Sequence, residues 1–125
     1  MSVQEAAVII TRHLHAVLHS IHDAYFSDMS YIESADFTYI VNEILFAEDE
    51  RVPLTIRGLA KILDMPHTTL LLRLGVLEQR NIIKPRAKRL RTDSSVLLSA
   101  AGRAKVGRVR QLIIDHGAQL AKIDV

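Results

Sequence analysis

Apolar residues recur at steps of three and four along most of this 125-residue chain, the spacing that gathers them on one face of a helix. The first stripe is Val3, Ala7, Ile10, Leu14, Val17, Ile21 and Ala24. It is introduced by Ser2-Val3-Gln4-Glu5, a capping-box sequence, and predicts a helix running to about Ser27 with a heptad-like seam. Asp28-Met29-Ser30 reads as a break. A second helix is predicted from near Ser34 to Phe46 or Ala47, with Phe37, Ile40, Val41, Ile44 and Leu45 as its apolar positions. Glu48-Asp49-Glu50-Arg51-Val52-Pro53 reads as a polar connector. The last stripe, Gly102, Val106, Val109, Ile113, His116, Leu120 and Ile123, predicts a terminal helix over about residues 100–122, with Ser99 placed to cap it.

Residues 54–83 read as two short helices joined by a tight turn, a helix-turn-helix. Thr55 is a good N-cap, and Ile56, Leu59, Ala60, Ile62 and Leu63 follow at helical spacing. This helix must stop before Pro66, because the residue preceding a proline is driven out of the helical region. Pro66 then suits the first turn of the next helix, where its missing N–H costs nothing. Leu70, Leu74 and Leu77 share one face there and are expected to pack on Leu59 and Ile62. Asn81 tolerates a left-handed helix end, and Ile82-Ile83 is expected to start a strand. Lys84-Pro85-Arg86-Ala87-Lys88-Arg89-Leu90-Arg91 is basic, Thr92-Asp93-Ser94-Ser95 is turn-like, and Val96-Leu97-Leu98 is a candidate second strand. The segment therefore predicts a hairpin with a charged tip.

In these elements the chain resembles the multiple-antibiotic-resistance-regulator (MarR) family of winged-helix transcription factors. The matching residues are Leu54-Thr55 with Leu59-Ala60, then Leu77-Glu78, Ile82-Ile83 and the step Leu98-Ser99-Ala100-Ala101-Gly102, covering roughly residues 34–110. The resemblance implies a mainly α fold: a winged helix-turn-helix, with α helices plus one small β-hairpin wing, and long N- and C-terminal dimerisation helices. The expected organisation is a single domain, with an N-terminal helix over 1–27, the winged helix-turn-helix over 34–98 and a C-terminal helix over 99–125. The implied function is a dimeric, sequence-specific DNA-binding transcriptional regulator that answers to a small-molecule effector. Such families usually place an aspartate shortly before one or two wing arginines. Arg91 is the best match here, without that acidic partner before it.

Composition narrows the class without naming it. The length is that of one domain, and 49% apolar residues suffice for a core. There is no cysteine, so disulfides and thiolate metal sites are excluded, and a cytoplasmic location is expected. The apolar run at Ala6–Ile10 is too short to span a bilayer, so no membrane partner is expected. Charge is unevenly distributed: residues 1–50 carry one basic and nine acidic side chains, a net −8, whereas residues 51–125 carry a net +10. Such polarity presents one half of the chain to a polyanion.

These features predict a DNA-binding set of Thr55, His67, Thr68, Thr69, Arg73, Lys84, Arg86, Lys88, Arg89 and Arg91. Threonines near a helix start suit phosphate or base contacts, and clustered cations suit phosphates. Leu71, Leu72, Gly75 and Val76 make no hydrogen bonds to base edges, so the second helix is a poor reader by that route. This apolar face raises the alternative of a winged-helix protein-interaction module. A homodimer is expected to bury Val3, Ala7, Ile10, Leu14, Val17 and Ile21 against Val106, Val109, Ile113 and Leu120 across a two-fold axis, as a reader of paired half-sites requires. A monomer pairing its own two terminal helices is the alternative. His15, His19 and His22 lie on one helical face near Asp23, with His116 the only obvious helper. One helix seldom completes a metal site, so neither metal nor cofactor is expected. No nucleophile–base set or glycine-rich phosphate loop occurs, so no catalytic residues are expected.

Overall fold

The computed structural model describes residues 1–84, 89–92 and 99–124. Among the described residues there are five helices: α1 Val3–Tyr25, α2 Tyr31–Glu50, α3 Ile56–Leu63, α4 His67–Gln79 and α5 Ala100–Leu120. The chain forms two compact units. Met1–Tyr31 with Ala100–Val125 make a terminal unit, and Ile32–Ser99 make a central unit. Among the described residues no helix is long and apolar enough to cross a membrane.

In the terminal unit α1 opens with the expected capping box. The Glu5 N–H donates to Ser2 Oγ (3.1 Å), and the Ser2 N–H donates to the Glu5 carboxylate (3.2 Å). Helices α1 and α5 pack on each other within one chain. Their pairing is antiparallel: the rings of His13 and His116 meet edge to face at 4.4 Å, and Lys105 Nζ lies 5.3 Å from the Tyr25 ring centre. The half-buried positions of α5 are Lys105, Val109, Leu112, His116 and Leu120, while Val106, Ile113 and Ile114 stay exposed. On α1, Ile9, His13, Val17 and Ile21 are half-buried, while Val3, Ile10, Leu14 and Leu18 are exposed. Each helix therefore carries a second apolar stripe, offset from the first.

The chain leaves α1 through a histidine clasp. His22 Nε2 lies 2.6 Å from the Met29 carbonyl oxygen and Nδ1 lies 2.8 Å from Asp23 Oδ1. Both partners are acceptors, so only the imidazolium donates to both. The hydrogen bond to Met29, and after it the one to Asp23, raises the pKa of His22 above the ordinary 6.5. The stabilisation is thus fully present below the unfolded value and is lost as pH rises through the raised folded one. In thermal melts, the gap between wild type and His22→Gln should be wide near about pH 5.5 and close at alkaline pH. A gap that widens with pH would refute the clasp.

The central unit is built on α2. Phe37, Ile40 and Ile44 are buried, as the spacing predicts. Leu59 from α3 and Leu70, Leu74 and Leu77 from α4 are fully buried, as is Ile83 beyond α4. Thr55 caps α3, with the Gly58 N–H donating to its Oγ1 at 3.1 Å. Asp64 ends α3 in the left-handed region (φ 50°), and Asn81 adopts the same conformation (φ 59°) after α4. Ile62, expected inside, is 57% exposed, because the inward face of α3 runs instead through Ile56, Leu59 and Leu63. Helix α2 begins at Tyr31 and continues through Glu50, so most of the acidic stretch expected as a connector is its last turn.

The expected winged helix with a β-hairpin wing is overturned. The described residues contain no strand, and Ile83 and Thr92 meet only in an isolated antiparallel bridge, with the Lys84 N–H donating to the Arg91 carbonyl (3.1 Å). The physical reason lies in where the other donors go. The Leu90 N–H donates to the Leu54 carbonyl at 2.9 Å. The Thr92 N–H donates to Glu48 Oε1, and its hydroxyl donates to Glu48 Oε2 at 2.7 Å. These groups are satisfied by the end of α2 and the approach to α3 rather than by a ladder. Arg86 and Lys88 of the expected tip, and the expected strand Val96-Leu97-Leu98, lie outside the described residues.

Candidate nucleic-acid interface

Helices α3 and α4 form a helix-turn-helix within the central unit. Its turn, Asp64-Met65-Pro66, is closed by the Met65 N–H donating to the Ala60 carbonyl (3.0 Å). Pro66 offers α4 no side-chain cap, and the first turn of α4 holds no acidic residue. Among the described residues the N–H groups of that turn therefore have no capping side chain at the positive end of the helix dipole, an arrangement that suits a phosphate. His67 and Thr68 are exposed there and Thr69 is half-buried. An open cleft of about 600 Å³ beside them is lined by Arg57, Ala60, Lys61, Asp64, Met65 and His67. Arg57 and Lys61 are not among the residues expected from the sequence. Their spacing of four on the exposed side of α3 was the available signal.

The segment 89–92 adds two cations. Leu90 and Thr92 are buried while Arg89 and Arg91 are exposed, an alternation set by the Leu54 and Glu48 hydrogen bonds. Lys84 is exposed as well. Two of the expected residues are otherwise engaged. Arg73 Nη2 pairs with Asp36 Oδ2 at 2.9 Å, and its guanidinium lies 5.5 Å from the centre of the Phe37 ring. It ties α4 to α2 instead of facing outward. Thr55 uses its oxygen to cap α3.

The middle of the outer face of α4 is apolar. Leu72 is 76% exposed, and a Cβ added at Gly75 would meet nothing within 4 Å. Gly75→Ala should therefore raise the unfolding free energy by about 0.5–1 kcal/mol, measured in urea, through helix propensity alone. A loss of stability would show that the face is packed.

The histidines do not gather into a metal centre. His15 and His19 lie with ring centres 4.6 Å apart, His19 stacks on Tyr31 at 4.0 Å, and His22 is held by Met29 and Asp23. His116 meets His13, Nδ1 to Nδ1, rather than this trio. Among the described residues no three potential ligands converge. Compared with protein-family models, with curated proteins and with solved structures, the chain finds no match.

Proposed function

We propose that this protein is a dimeric DNA-binding transcriptional regulator that uses α3–α4 as its reading element and Arg89 and Arg91 as phosphate anchors. The observation that carries this reading is the uncapped start of α4 with Arg57, Lys61 and His67 around it, in the same unit as the outward pair Arg89 and Arg91. At 13 residues α4 is about 20 Å long, a length the major groove admits. The resemblance to the MarR family enters the proposal through the helix-turn-helix and the dimer, and not through a wing. The dimer is supported by the exposed stripes of the terminal unit, for which a second copy is the partner we propose.

Titration of labelled duplex DNA at several salt concentrations tests the reading. Affinity should fall steeply with salt, because each neutralised phosphate releases counterions. Absence of binding at low salt would end it. The exposure of Leu72 supports a second reading, a protein-interaction module. Leu72→Arg separates the two: a protein interface would be spoiled, whereas binding to DNA and its steep salt dependence would persist.

A further inference from the structure

A helix that reads bases by hydrogen bonds places polar side chains at the centre of its outer face. In α4 that centre is Leu72, with Thr68 one turn before it and Gln79 two turns after it. Hydrocarbon can distinguish one feature of a base edge in the major groove, the C5 methyl group of thymine. Gly75 bares the backbone beside Leu72, so the helix surface falls away there and the leucine stands out from it. The cations Arg57 and Lys61 line the cleft at the start of the same helix, and Arg89 and Arg91 are exposed in the same unit. This charge complements a polyanion, which favours nucleic acid over an apolar protein surface as the occupant of the spot.

Resting on the DNA-binding reading above, we propose that Leu72 is a specificity-determining residue that reads pyrimidine 5-methyl groups, so that the preferred ligand is thymine-bearing duplex DNA. The methyl group alone is the recognised feature, and 5-methylcytosine would present it equally.

The test uses four duplexes of one length, alternating A–T, A–U, G–C and G–5-methyl-C, titrated by fluorescence anisotropy at fixed low salt. Each buried methyl contact should contribute about fourfold in affinity, so wild type should prefer T over U and methylated over unmethylated C by about that factor per contact. Leu72→Ala changes an exposed side chain, so it should keep the wild-type circular dichroism and salt slope while losing both preferences. Equal wild-type binding to T and U duplexes would overturn the proposal while leaving DNA binding intact. A thymine preference that survives in Leu72→Ala would also overturn it, assigning the contact elsewhere. Binding to none of the four duplexes would instead bring down the DNA-binding reading itself.

Discussion

Replacing Arg89 and Arg91 together by alanine is expected to weaken binding to every DNA sequence by roughly tenfold or more per arginine, because each charge-assisted hydrogen bond to phosphate is worth about 1.5–3 kcal/mol. The salt slope should flatten by about 1.8, the share of two phosphate contacts. The fold should survive, because both side chains are exposed while their neighbours Leu90 and Thr92 hold the segment in place. Glu48→Ala is the complementary change. It leaves both arginines present but removes the carboxylate that accepts from the Thr92 backbone and hydroxyl. Anisotropy titration at three salt concentrations reads both variants. An unchanged affinity and slope in the double mutant would remove these arginines from the interface.

Leu14→Glu or Ile113→Glu is expected to convert a dimer into a folded monomer. The exposures of these residues, 58% and 49%, show that neither is needed for α1 to pack on α5 within the chain. Burying a large apolar side chain contributes about 1.5–3 kcal/mol, and an association cost of about 4–15 kcal/mol opposes it. Exposed apolar side chains from two copies can meet that cost, whereas an unpaired carboxylate in the seam would forfeit several kcal/mol. The dimer dissociation constant should rise about a hundredfold or more, since each 1.4 kcal/mol is tenfold. Sedimentation equilibrium with circular dichroism separates dissociation from unfolding. Val17→Glu, at a half-buried position, should damage the fold as well. A wild type that is monomeric at micromolar concentration, or variants that remain dimeric, would end the paired half-site reading.

Local signals in the sequence determined the helices. The Ser2–Glu5 capping box, the Thr55 cap, the stop before Pro66 and the left-handed Asn81 act within four residues of the helix ends they define. The same is true of the inward set Leu70, Leu74 and Leu77, which follows from the helical period alone. Tertiary structure decided what sequence spacing leaves open, namely which partner each polar group takes. Glu48 looked like part of a connector, yet it lies in the last turn of α2 and accepts from Thr92, 44 positions away, while Leu54 accepts from Leu90. Arg73 was expected among the DNA-binding cations, yet Asp36 and the Phe37 ring hold it against α2. The terminal helices each presented one stripe to the eye, and packing selected Leu112 over Ile113 and Lys105 over Val106 for the less exposed side. Periodicity names a face to within about one residue, which is about 100° of helix, and only the neighbour that packs there selects the side chains it covers.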